Sequence, residues 1–233
     1  MKGCGRDDVG CLHSPEDLLN RIREIGFLPL FSNAVPGFSV EEQTPAETWW
    51  TDSPEDPWAW RQILAPHPDI AYGKFFEKKA GFVSREWFPV FANYRRDGYD
   101  YEGMYEDGKM NGRCRRILDV LELDENAAGT AMLSCDIRKR AALEKGFEGA
   151  LTELQMKTFL IMSDFRRKLN RRGEAYGWHV AELMTPEKKW GYDEVNGCSE
   201  LPEVSLKRIR TQIRRFFPRA EDAAVRKVME IRK

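Results

Sequence analysis

Arg113 to Thr185, RCRRILDVLELDENAAGTAMLSCDIRKRAALEKGFEGALTELQMKTFLIMSDFRRKLNRRGEAYGWHVAELMT, reads as a helix, a short strand, two further helices and a strand-turn-strand ribbon. Arg115 to Leu123 sets Ile117, Leu118 and Leu121 at helical spacing. Thr130 to Leu133 (TAML) is a short apolar run after the turn-forming Ala128-Gly129. Ser134 is expected to cap the next helix: its hydroxyl accepts from a first-turn amide, and Asp136 sits where the positive helix end favours a carboxylate. That helix is expected to end near Gly146. Phe147 to Thr158 aligns Phe147, Leu151, Leu154 and Thr158 on one inward stripe, leaving Gly149, Thr152, Glu153 and Met156 outward. Phe159 to Leu169 and Ala175 to Thr185 flank the turn Asn170-Arg171-Arg172-Gly173, and Tyr176, Trp178 and Val180 alternate as in a half-buried strand.

This order of elements is that of a winged helix, with the ribbon as its wing. The expected fold class is α+β and mainly helical: a winged helix-turn-helix with short strands and a β-hairpin wing, and more than one such unit. The order points at nucleic acid, and charge agrees in part. The whole chain carries a formal charge of -1, which argues against a general nucleic-acid coat. Residues 1–132 hold 15 basic and 23 acidic side chains, net -8, whereas residues 133–233 hold 22 and 15, net +7. Arg166, Arg167, Lys168, Arg171 and Arg172 lie on the wing and are expected to neutralise phosphates, unless they only guard a solvated hairpin edge. Thr152 and Lys157 are further expected DNA contacts on the preceding helix. Because its outward face has no Arg for guanine, backbone or shape recognition is expected rather than a base code. Lys207, Arg208, Arg210, Arg214 and Arg215 form the cationic side of a helix whose other side is Leu206, Ile209, Ile213 and Phe216.

The first half carries the aromatic residues. Ser14-Pro15-Glu16-Asp17 is a helix start, continued by Leu18, Leu19, Ile22 and Ile25. A second Ser-Pro-Glu-Asp start at Ser53 follows Trp49-Trp50-Thr51-Asp52 and leads into Pro57-Trp58-Ala59-Trp60-Arg61-Gln62. In that helix Trp60 shares a face with Ile63 and Leu64 and belongs to the core, while Trp58 shares one with Arg61 and Gln62. Trp58 beside Arg61 and the carboxylates Asp52, Glu55 and Asp56 has two readings. It stacks a base, with Asp52 or Asp56 as catalytic candidates for stabilising a cationic transition state, or it builds the seam between two lobes. Tyr72 to Phe76 and Ala80 to Val83 look like short strands, and Pro89 opens a helix carrying Phe91, Tyr94, Arg95 and Arg96. Lys74, Lys78, Lys79, Arg95 and Arg96 make a basic island, either a second DNA contact or a balance for the surrounding acids.

With 233 residues and 42% hydrophobic composition the chain can bury one large core or two small ones. No stretch has the roughly 18 consecutive apolar residues of a membrane span, and the start has no export-like apolar run, so a cytoplasmic location without membrane contact is expected. Five cysteines without a CxxC pair fit a reducing compartment, and Cys4, Cys11 and His13 match no common zinc spacing, so no metal is expected. Neither GxxxxGK[ST] nor GxGxxG occurs, and no nucleotide cofactor is expected. Breaks at Glu106 to Gly112 and Thr185 to Pro202 divide the chain into an aromatic-rich lobe (1–112), a winged-helix domain (113–186) and a C-terminal loop with basic amphipathic helices (187–233).

YGKFFEKKAGFVSREWFPVFANYRRDGYD at Tyr72 to Asp100, the WWTD and DPWAWR segments, and GALTELQMKTFLIMSDFRRK with YGWHVAELMTPE together resemble the AlkZ-related proteins. These are named after winged-helix DNA glycosylases that remove alkylated bases and unhook interstrand crosslinks. The resemblance covers most of residues 14–190 and implies a multi-winged-helix fold and double-stranded DNA as partner; the alternative reading is a non-enzymatic regulatory or interaction module that uses the same fold and aromatic surface to bind another protein. The wider family's glycosylases use Gln-X-Asp or Gln-X-Gln to position water and stabilise the sugar cation. Gln43-Thr44-Pro45, Gln62-Ile63-Leu64, Gln155-Met156-Lys157 and Gln212-Ile213-Arg214 all depart from that motif, so no catalytic residue carries over.

Overall fold

The computed structural model describes residues 4–5, 10–123, 131–170 and 172–229. The Ala128 to Thr130 turn, Arg171, and the side chains of Lys168 and Trp178 lie outside the described residues.

Helix α1 (Pro15–Ile25) starts as its sequence requires: the Ser14 hydroxyl accepts from Asp17 N, and Leu18, Ile22 and Ile25 are buried. Strand β1 (Phe27–Pro29) follows, then a loop with one 3₁₀ turn at Ala46–Thr48, then α2 (Pro57–Leu64). The cap of α2 is Asp56 with Pro57 behind it, not Ser53, because a proline at the first helical position leaves the aspartate just before it free to accept from Trp58 N. Trp60 and Leu64 are buried as expected, whereas Ile63 stays 57% exposed. Strands β2 (Ile70–Phe76) and β3 (Lys79–Ser84) form a hairpin, and α3 (Phe88–Arg96), α4 (Tyr101–Glu106) and α5 (Gly112–Glu122) follow. Asn111 caps α5, and Cys114, Ile117, Leu118 and Leu121 face inward.

Strand β4 (Met132–Leu133) leads directly into α6 (Ser134–Arg140). Ser134 is the first helical residue, Leu133 is at the cap position, and no side chain caps this helix. Nor does α6 reach Gly146; that glycine, with φ 75, precedes α7 (Phe147–Met156) in a left-handed turn. The inward stripe of α7 is as read from the sequence, but Met156 is also buried, because the β2–β3 turn packs on that end and Lys78 N donates to Met156 Sδ at 3.2 Å. Strands β5 (Ile161–Leu169) and β6 (Ala175–Met184) form the long ribbon. Tyr176 is 52% exposed rather than half-buried, since the ribbon extends beyond the layer behind it. Helices α8 (Pro186–Trp190), α9 (Tyr192–Val195), α10 (Pro202–Phe216) and α11 (Asp222–Met229) complete the chain.

The α+β class is borne out: one antiparallel sheet has the order β1-β3-β2-β5-β6-β4. Its halves repeat one pattern. In each, a short strand pairs with the second strand of the following hairpin, β1 with β3 and β4 with β6. The halves meet where Tyr72 on β2 faces Met162 on β5. One core gathers α1, α2, α3 and β1–β3 with Ile209, Ile213, Val225 and Val228 from α10 and α11; the other gathers α4–α7 with Met132 and Leu183. Met162 packs against both.

Cys4 is joined to Cys11 by a disulfide, which corrects the expectation of five reduced thiols. The bridge Cys4↔Pro45 and the bond from Leu12 N to Gln43 O lay both cysteines on one loop, with Cα atoms 6.0 Å apart. Among the described residues no cluster of His, Cys, Asp and Glu is arranged to hold a metal, and no helix is long and apolar enough to cross a membrane.

Candidate nucleic-acid interface

The β5–β6 ribbon is set by its turn. Asn170 Oδ1 accepts from Arg172 N and Glu174 N at 2.8 and 3.0 Å, and Gly173 with φ 80 takes the left-handed position. Cross-strand register places Phe165 opposite Ala181 and Arg167 opposite His179 on one face, with Arg166 opposite Val180 on the other. Arg166 is neutralised by Glu182. Arg167 and Arg172 are exposed, and among the described residues neither has an acidic partner. The ribbon therefore offers two uncompensated guanidinium groups beyond the body of the molecule.

The outward side of α7 is less available. Thr152 Oγ1 donates to Glu148 O, and Glu153 accepts from Asn111 Nδ2 at 2.6 Å and from Lys157 Nζ at 3.0 Å. Lys157 Nζ also donates to Lys109 O. These polar groups are engaged within the protein.

The basic island is divided by the fold. Lys74 is half-buried, its amide donating to Gln155 Oε1, and Lys78 and Lys79 are exposed. Arg95 and Arg96 are 3% and 2% exposed, which corrects their expected place at the surface. Arg95 donates to Phe75 O and lies against the Phe91 ring; burial pushes its pKa down to about 10. Arg96 donates to Thr158 O at 2.8 Å, Glu187 Oε1 at 2.6 Å and Asn196 Oδ1 at 2.9 Å, and lies over Phe159. The aromatic and apolar neighbours that α3 acquires from β2 and the α7–β5 loop cover what helical spacing alone leaves outside.

Asp52 and Asp56 also separate. Asp52 is exposed, whereas Asp56 is 1% exposed. One Asp56 oxygen accepts from Trp58 N at 2.9 Å, the other from Thr51 N and Asp52 N at 3.0 and 3.2 Å. Asp56 is thus a helix cap and loop clamp with its lone pairs committed to backbone amides.

Trp58 is half-buried in an aromatic stack that ties the two halves of the sheet together. The Arg61 guanidinium lies 3.7 Å from the Trp58 ring centre and 4.4 Å from that of Phe165, two residues before Arg167. Burial lowers the pKa of Arg61, opposed by Tyr72 and Asp56, and pushes the Tyr72 hydroxyl up to about 12. Trp50, 55% exposed, packs on Trp58 at 4.7 Å. The role of Phe165 and the exposure of Trp50 were not legible in the sequence. The Trp58/Arg61 spacing was the one signal present, and it lacked the partner strand.

On α10, Arg208 pairs with Glu200 and Arg214 with Asp222, leaving Lys207 and Arg215 exposed on its cationic side.

The paired three-stranded halves and the projecting basic ribbon define an α+β protein built from a repeated helix-and-hairpin plan. The chain belongs to the AlkZ-related family, whose pattern matches residues 12–230. No curated protein matches it. Among solved structures it is similar to the Streptomyces sahachiroi DNA glycosylase AlkZ, at 12% identity over 93% of this chain with a TM-score of 0.43, and it spans 59% of that chain's length.

Proposed function

We propose that this protein binds double-stranded DNA through the phosphate backbone, as a winged-helix relative of alkylation-repair glycosylases. Residues 113–186 form the winged-helix unit and β5–β6 its wing. In support, α5, β4, α6, α7, β5 and β6 follow the winged-helix order, with β4 added to the second ribbon strand. The series α1, β1, the 3₁₀ turn, α2, β2 and β3 follows it again, with β1 on β3. The observation that carries the reading is the projecting ribbon, whose Arg167 and Arg172 have no acidic partner among the described residues. Such cations release counterions from DNA and fix its position without reading sequence.

On this reading the activity is binding rather than base release. The Gln-X-Asp motif is absent, and Asp56, committed to three amides, has no role in the chemistry, which leaves Asp52 as the acidic candidate beside the tryptophans. We place the protein in the cytoplasm with its DNA.

Fluorescence anisotropy over a salt series tests the proposal. Affinity for any duplex is expected to fall with log salt at about -0.9 per neutralised phosphate, and Arg167→Ala/Arg172→Ala to flatten that slope by about 1.8. Absence of binding at low salt refutes it. Alkylated duplex is expected to release little base, and release abolished by Asp52→Asn would overturn the non-enzymatic reading.

A further inference from the structure

Trp50 combines three properties that packing alone does not call for. It is 55% exposed, it sits at φ 64 in the left-handed region that bulky side chains avoid, and it is the exposed ring of a cluster of mutually tilted tryptophans. The backbone is held in that conformation from within. Buried Asp56 grips the amides of Thr51 and Asp52, Asp52 itself has φ 54, and the Thr51 hydroxyl donates to Thr48 O at 2.8 Å. Beneath Trp50 lie Trp58 at 4.7 Å and Trp49 at 5.8 Å, and beneath Trp58 lies the guanidinium of Arg61. Arg61 is 9% exposed with its Nε unpartnered, and the ring faces add to the support that Tyr72 and Asp56 give the cation. A rigid aromatic surface is thus presented to solvent at the cost of backbone strain, which is the arrangement of a preorganised contact.

We propose that Trp50 is the stacking platform for an unpaired base in DNA, an inference that rests on the DNA-binding reading above. Every base has a π-face, and indole offers the matching one. Charge decides how the ligand lies. Exposed Asp52 repels phosphate, so a nucleotide meets Trp50 with its base, and its backbone falls to the arginines of the ribbon. The two sites are continuous: Arg61 bridges Trp58 to Phe165, and Arg167 shares the ribbon face of Phe165. Within an intact helix both faces of a base are covered, so the platform selects DNA with a bulged or otherwise unstacked nucleotide.

The test compares a duplex carrying a single 2-aminopurine bulge with the same duplex fully paired. The wild-type protein is expected to favour the bulge by about 5- to 150-fold, the equivalent of ~1–3 kcal/mol for one stacked base, and to quench 2-aminopurine emission. Trp50→Ala should abolish both the preference and the quenching while leaving paired-duplex affinity and salt slope unchanged; Trp50→Phe should retain most of each. Arg167→Ala/Arg172→Ala should weaken both duplexes alike. Salt-dependent binding with no bulge preference, or a preference and quenching that survive Trp50→Ala, overturns the platform and leaves the DNA reading standing. Failure of the wild type to bind either duplex overturns both. Thermal melts confirm that the variants are folded, as expected for a side chain this exposed.

Discussion

Arg96 is the position where sequence pattern and three-dimensional placement disagree most, and replacing it decides between them. Its guanidinium is 2% exposed and joins three regions: Thr158 in the loop between α7 and β5, Glu187 on α8 and Asn196 after α9. Thr158 has φ 63, so Arg96 also braces a left-handed residue at the end of α7. Glu187 is only 20% exposed, and removing the arginine leaves it without a countercharge and with the 3.3 Å bond from Asn196 Nδ2. Breaking a buried pair in this way costs about 3–5 kcal/mol, most of it from the charge left without a partner. In a chain of this size each kcal/mol moves Tm by about 2–4 °C, so Arg96→Ala is expected to lower Tm by roughly 6–20 °C. Arg96→Lys keeps the charge but loses the fork that reaches Thr158 and Glu187 together, and should fall between. Calorimetry reads the stability, and a Glu187→Ala double-mutant cycle isolates the pair. A Tm unchanged within about 1 °C together with a flatter DNA salt slope would refute the reasoning and return Arg96 to the surface.

Asp56→Ala should lower stability in urea by about 0.5–2 kcal/mol for the lost cap, and Asp56→Asn by less, because the amide oxygen still accepts. Burial lowers the Lys189 pKa from 10.5 to about 8 although its Nζ donates to Ala65 O and Ile70 O. Between those values the unfolded chain holds the extra proton, so this group's contribution to stability rises with pH through that window; the rise should vanish in Lys189→Met when denaturant midpoints are compared across pH. Among the thiols, exposed Cys135 should react quickly with a thiol reagent, while Cys114, buried with its pKa pushed up to about 12, should react only on unfolding. Cys4 and Cys11 should add to the titration only after reduction.

What the sequence determined by itself is local. Ser14-Pro15 starts a helix because an accepting side chain before a proline satisfies a free amide at once, and the same rule applies at Asp56-Pro57, three residues beyond the start read at Ser53. The stripes Ile117/Leu118/Leu121 and Phe147/Leu151/Leu154 place themselves inward by helical period alone. The ribbon is legible because Asn170 and Gly173 encode its turn, and the charge asymmetry between the chain's halves needs only counting. Of the site, the ribbon arginines and the Trp58/Arg61 pair were visible in the same way. Tertiary structure decided which charged groups are surface groups at all. Arg95, Arg96 and Asp56 look solvent-facing within their own segments, yet strands and loops distant in sequence cover them. It also decided that Tyr72 meets Met162 and that Arg61 rests on Phe165, contacts that join the two halves and bring the tryptophans to the base of the ribbon. Periodicity describes one element's own faces; burial and pairing depend on what is packed against them, and that information belongs to the folded chain.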